Sequence, residues 1–253
     1  MSTLTHYRQL AALFDYPEAD LPAQVRELRE SLQSRYPAAA SRFESFAKAL
    51  PSSRERLSET ELDDVQEIFT RSFDVQAITT LGVGYVVFGD DYKRGELLVN
   101  LNREHRDAGL DCGSELSDHL PNVLRLIAKW QDPEIVVEFV EEILHPAIDK
   151  MIGEFGADRI LQRNKLYRKH YKTLIASSVD RGTMYRDALQ GLLSVLKEDF
   201  DLREREYPEQ KSDFLRSIGR EMEIESEEIG LPQASPQQVR PAQAGLHQLR
   251  RAK

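Results

Sequence analysis

Apolar residues recur along this chain at intervals of three and four, and no other regularity in it is as persistent. Tyr7, Leu10, Ala11 and Phe14 stand at i, i+3, i+4 and i+7, and Leu62, Val65, Phe69 and Phe73 hold a similar stripe. Arg94, Leu97, Leu98, Leu101 and His105 repeat the pattern, as do Val136, Phe139, Val140 and Ile143, then Ala188, Leu189, Leu192, Leu193, Leu196 and Phe200. A stripe of that period is one face of an amphipathic helix, and each face needs another helix to cover it. The accumulation predicts an all-α fold, a single compact helical bundle.

Proline marks the ends. Tyr16-Pro17, Tyr36-Pro37, Leu50-Pro51, Asp132-Pro133 and His145-Pro146 are expected helix boundaries, because the residue before proline is pushed out of the α region. Asp132 before Pro133 also reads as an N-cap with proline at the first helical position. The run from Leu81 to Phe88 is β-branched, aromatic and flanked by glycine, which local rules assign to a strand. A strand needs partners, and no other segment offers a period-2 pattern with hairpin signals, so helix is expected there.

Composition narrows the function. A chain of 253 residues with 40% hydrophobic and 30% charged residues suits a globular protein with a well-hydrated surface. A net charge of -9 and an isoelectric point of about 5.3 have the wrong sign for wrapping a phosphate backbone, so no nucleic-acid partner is expected; a basic partner segment fits better. Cys112 is the single cysteine, which rules out an intramolecular disulfide and a cysteine-rich metal cage. Neither a secretory leader at Met1 to Tyr16 nor an apolar run of about 20 residues is apparent, so a cytoplasmic protein without direct membrane insertion is expected.

Few residues suggest chemistry. Glu142-Ile-Leu-His145 has the E-x-x-H spacing of di-iron bundles, but no second copy exists to complete a site, and Pro146 suggests a surface histidine at a helix end. Gly82, Gly84 and Gly89 fit neither a dinucleotide fingerprint nor a phosphate loop and read as packing glycines. Cys112 has no adjacent histidine or cysteine in sequence and reads as a small hydrophobe. No metal and no cofactor are expected.

Asp118-His119-Leu120-Pro121 reads as a helix start, with Asp118 as cap, worth about 0.5–2 kcal/mol, and Pro121 in the first turn. Capping leaves His119 unexplained, and an exposed Asp118–His119 pair suits binding or acid–base work. Phe69 and Phe73 followed by Asp74 read as the core face of a helix with an acidic cap for the next element. From Asp201 the chain turns highly charged, and its last 23 residues carry four basic and no acidic side chains. Disorder is expected from about Gly230.

Four segments occur together in one order: Phe69-Thr-Arg-Ser-Phe73-Asp74, Gly89-Asp-Asp-Tyr-Lys-Arg94-Gly95, Ala108-Gly109-Leu110 and Glu115-Leu-Ser-Asp118-His119-Leu-Pro121. In this the chain resembles the nitrate reductase delta-subunit chaperones. Leu13-Phe-Asp-Tyr-Pro17 resembles that family's first helix and its end, and Met184-Tyr-Arg-Asp-Ala-Leu189 its last helix. The likeness spans roughly residues 5 to 200 as one domain, leaving 201–253 as a charged extension and tail. It implies a helical-bundle chaperone of the molybdoenzyme type, itself without catalysis or cofactor. Such a chaperone binds the apo catalytic subunit of a molybdopterin guanine dinucleotide oxidoreductase, often at its N-terminal segment, until cofactor is inserted.

On this resemblance Asp118, His119 and Pro121 carry the motif of the peptide-binding region, with Phe73, Asp74, Arg94 and Glu115 in support. Ser117 stands where the family usually has proline, and Phe69 where it has tyrosine. The basic stretch from about Asp158 to Asp180 reads as an insertion suited to one client. Replacing Asp118 and His119 together by alanine is expected to weaken client binding and spare the fold. The competing readings are a small helical enzyme using Asp118, His119 and Glu115 as acid–base groups, and a helical subunit that stays in its complex.

Overall fold

Each apolar stripe becomes a helix in the computed structural model, which describes residues 4–51, 54–170 and 183–202. After a short 3₁₀ turn at Leu4–His6 come α1 (Tyr7–Ala12), α2 (Leu21–Leu32), α3 (Pro37–Ala49), α4 (Glu59–Phe73), α5 (Val83–Phe88) and α6 (Tyr92–Asp107). Then follow α7 (Leu120–Ile127), α8 (Pro133–Phe139), α9 (His145–Glu154), α10 (Ala157–His170) and α11 (Met184–Asp199). The fold is all-α, and no strand occurs among the described residues; the segment with strand-like composition supplies α5. The charged extension, the expected disorder beyond Gly230 and the 171–180 part of the basic stretch lie outside the described residues.

Local chemistry sets most helix ends. Pro37 opens α3, and Asp132 caps α8 by accepting from the N–H groups of Glu134 (3.0 Å) and Ile135 (3.4 Å). Ser58 and Glu61 close a capping box on α4, satisfying two donors that the first turn leaves without partners. α6 ends at Gly109, whose φ of +62° lets its N–H reach Arg106 O (3.0 Å) while Leu110 N–H reaches His105 O (2.9 Å).

The expected break at His145-Pro146 does not occur. Pro146 cannot donate to the carbonyl of Glu142, and its ring crowds that oxygen. The helix widens instead into a π turn at Val140–Leu144, with His145 N–H bonded to Val140 O, and continues as α9. His145 is therefore a buried residue within a continuous rod, not a surface histidine at a helix end.

One contiguous core runs from Tyr7 to Leu196. α11 is its axis: Met184, Tyr185, Ala188, Leu189, Leu192, Val195 and Leu196 are all buried, and the helix lies on α3 and α9. α7 packs on α1, and α5 on α6 and α9. The first part of the basic stretch is α10, which packs on α9 and buries Arg163 and Tyr167, so these residues belong to the body.

At the N-terminal end of α11, Tyr185 meets Phe46, Phe69 and Phe73 with ring centroids 5.1–5.5 Å apart. Such tilted and edge contacts suit the quadrupoles of aromatic rings. Its hydroxyl is fully buried without a hydrogen-bond partner among the described residues, and burial drives its pKa far above the ordinary tyrosine value. Tyr185→Phe removes this desolvated hydroxyl and is expected to stabilise the fold by about 1 kcal/mol. Thermal unfolding should show a midpoint about 2–4 °C higher. A lower midpoint would mean that the hydroxyl is satisfied after all.

Candidate functional site

Three loops and the ends of two helices converge on one cleft. Its walls come from the turn after α1 (Asp15, Tyr16), the last turn of α4 (Phe69, Phe73, Asp74) and the loop before α5 (Thr80, Leu81). The loop after α6 (Asp111 to Glu115) and the start of α7 (His119, Asn122, Arg125) complete it. The volume is about 490 Å³. That lies within the range of about 300–1,000 Å³ typical of ligand sites.

The aromatic side has a continuous floor. Phe69 and Phe73, one helical turn apart on α4, contact edge to face at 5.1 Å. Tyr16, 54% exposed, stands on Phe69 at 5.6 Å, and Tyr185 backs both phenylalanines from the core. The opposite side is polar. Asn122, buried at the start of α7, donates to Cys112 O and Leu116 O, both at 3.2 Å, while its own carbonyl meets His105 Nε2 at 3.2 Å. These bonds fasten the loop that carries Asp111 and Glu115 onto α6 and α7.

His119 is held by backbone. Residues 81–83 and 118–120 form an isolated antiparallel bridge in which Val83 N–H donates to Asp118 O (2.9 Å) and Leu120 N–H to Leu81 O (2.8 Å). His119 itself occupies the N-cap position of α7, with Pro121 in the first turn. Burial outweighs the acidic neighbours Glu115, Asp15, Asp118 and Asp74, so the imidazole titrates below its ordinary value and is neutral at pH 7. Asp74 moves the other way, raised first by desolvation and then by the Glu115 charge. Asp15 pairs with Arg125, whereas none of Asp74, Asp111 and Glu115 forms an ion pair among the described residues. The cleft is therefore an acidic rim over an aromatic floor, with a neutral imidazole between them.

Four of the seven residues singled out from the sequence line this cleft: Phe73, Asp74, Glu115 and His119. The other three stand behind it. Asp118 is neither a cap nor exposed: it has no accessible surface, and its carboxylate Oδ2 accepts from Arg94 Nε at 3.0 Å. Its side chain turns away from α7 because the pairing with residues 81–83 fixes its backbone, and α7 receives no side-chain cap. Among the described residues no hydrogen bond joins Asp118 to the His119 ring. Pro121 is buried in the first turn of α7. Asp74 ends α4 as its C-cap, while Gly82 holds the N-cap position of α5, so the expected acidic cap for the next element is not formed.

Gly82 and Gly84 are packing residues on the Arg94–Asp118 pair, whereas Gly89 ends α5 as its C-cap with a φ of +62°. A Cβ on Gly84 would lie 2.8 Å from Asp118 Oδ2 and 2.9 Å from Leu97 Cδ2. Arg94 in turn lies over the Tyr85 ring, 5.1 Å from its centroid. α5, α6 and the α7 entry thus close around one buried carboxylate, directly before His119 in the chain.

Sequence reasoning assigned no site role to Asp15, Tyr16, Thr80, Asp111, Asn122 or Arg125. Asp15-Tyr16 at a helix end carried a positional signal; the others become visible only when the loops are brought together. Among the described residues no group of three or more His, Cys, Asp or Glu side chains is arranged to hold a metal ion, and no helix is long and apolar enough to cross a membrane. No protein-family model matches the chain, and no curated protein matches it.

Proposed function

We propose that this protein is a cytoplasmic, non-catalytic assembly chaperone of the nitrate reductase delta-subunit type. Its partner is the apo catalytic subunit of a nitrate reductase-like molybdenum oxidoreductase, and the cleft between α4 and α7 takes that subunit's N-terminal segment. One observation carries this reading. Phe73, Asp74, Glu115 and His119, picked from separate motifs spread over 46 positions of sequence, line one cleft. The cleft's chemistry agrees: an acidic rim over aromatic rings suits a segment that mixes cationic and apolar side chains. Binding of this kind holds the client until its cofactor is inserted, and the cofactor belongs to the client.

Asp74 and Glu115 are exposed and outside the core, so Asp74→Asn/Glu115→Gln alters the rim without disturbing the fold. Wild-type protein drawn from molybdenum-starved cells is expected to carry the cofactor-free catalytic subunit, identified by mass spectrometry. A peptide of that subunit's N-terminal segment should bind the double variant about tenfold more weakly than wild type. Because exposed charge pairs are screened over about 10 Å at 0.1 M salt, raising the salt should narrow the gap. Equal affinity of the two proteins would remove the rim from the binding site. Association with the mature, molybdenum-loaded enzyme alone would identify a resident subunit instead.

A further inference from the structure

The chain carries a segment of its own with the chemistry that the cleft accepts. Residues 246–253 read Leu246-His-Gln-Leu249-Arg250-Arg251-Ala-Lys253, two leucines three apart followed by three cations, in a protein whose net charge is -9. We propose that this segment occupies the cleft intramolecularly, its leucines over Phe69 and Phe73 and its cations against Asp74, Asp111 and Glu115. It competes there with whatever external segment the cleft receives, so the proposal rests on reading the cleft as a peptide-binding groove.

Charge complementarity and reach both support it. Three rim carboxylates without ion pairs among the described residues face a segment with three positive side chains and no negative one. Tyr185, near the start of α11, touches Phe69 and Phe73 at the cleft floor, and α11 runs to Asp199 before the described chain stops at Leu202. At 1.5 Å per residue the helix carries the chain about 20 Å from the floor. The connecting residues 203–245 need only span that distance back, and even at the 1.5 Å per residue of a helix, the shortest regular rise, about 40 residues reach about 60 Å. Tethering at that length supplies an effective concentration on the order of millimolar, enough for a weak segment to fill the cleft most of the time.

Cys112, the single cysteine, lines the cleft and reports its occupancy. The test uses the full chain, with no client present. A carbodiimide should couple Lys253 to Asp74, Asp111 or Glu115, with a yield unchanged when the protein is diluted a hundredfold. Alkylation of Cys112 by iodoacetamide should be about three- to tenfold slower in wild type than in Arg250→Glu/Arg251→Glu/Lys253→Glu, given millimolar tethering. Added salt should speed the wild type towards the variant. Absence of coupling to the cleft carboxylates, or equal alkylation rates, overturns the proposal; a yield that falls on dilution assigns the contact to a second copy and overturns it too. If these fail while an added client peptide still protects Cys112, the intramolecular occupant is excluded and the client reading stands.

Discussion

Asp118→Ala is expected to destabilise the fold by about 3 kcal/mol, a large fraction of the about 5–15 kcal/mol by which a domain is stable. The carboxylate is wholly buried and bonds to Arg94, whose side chain keeps 22% of its surface in water. Breaking a buried pair by removing one partner costs about 3–5 kcal/mol because the other charge is left without compensation. Arg94 can still reach solvent and lies over Tyr85, which places the value at the lower end. The carboxylate already bears a cost, since its Oδ1 has no hydrogen-bond partner among the described residues. Asp118→Asn, which keeps the shape and an acceptor for Arg94, should therefore lose only about 1 kcal/mol. Urea unfolding of wild type, Asp118→Ala, Arg94→Met and the double variant gives the coupling directly. Additive effects would show that the pair contributes nothing. Joint alanine replacement of Asp118 and His119 therefore mixes lost stability with lost affinity and does not spare the fold, because Asp118 is buried and paired with Arg94. The exposed Asp74 and Glu115 are the cleaner probes.

Gly191→Ala is expected to cost about 2–4 kcal/mol, for a different reason. Gly191 lies in the middle of α11, where alanine would ordinarily be better by about 1 kcal/mol. Here a Cβ would stand 2.6 Å from both Cε1 and Cζ of Phe43 on α3. That ring is fully buried, so it can yield only by displacing its packed neighbours or by the two helices moving apart, and overpacking of this kind commonly costs more than propensity returns. The thermal midpoint should fall by about 6–12 °C. Gly153→Ala in α9 provides the contrast, because nothing lies within 4 Å of its Cβ position. The same substitution there should leave the midpoint unchanged or raise it slightly. Gly191→Ala with wild-type stability would show that α3 and α11 do not approach so closely.

Much of this was legible in the sequence because helices are local. Backbone bonding spans four residues, so the stripes at Leu62–Phe73 and Ala188–Phe200 located α4 and α11, and Asp132-Pro133 marked the start of α8. The same local logic fails at Asp118. An aspartate two positions before a proline-opened helix looks like a cap, yet Arg94, 24 residues earlier, takes its carboxylate. At Pro146, too, the local rule named the conflict correctly but not its outcome, since a π turn resolves it only where neighbouring helices hold the rod together.

The sequence by itself determined the all-α class and most of the residues that turn inward, since periodicity is carried by neighbouring residues; Phe73, Asp74, Glu115 and His119 stand out in it only through the family resemblance. The tertiary structure decided which charges are buried and which remain free to meet a partner. Asp15 pairs with Arg125 across 110 positions, Asp118 disappears behind α5, and Asp74 and Glu115 are left at the rim. Desolvation and pairing depend on how close groups lie in space, and that distance is set by the packing of α4, α5, α6 and α7 rather than by spacing along the chain.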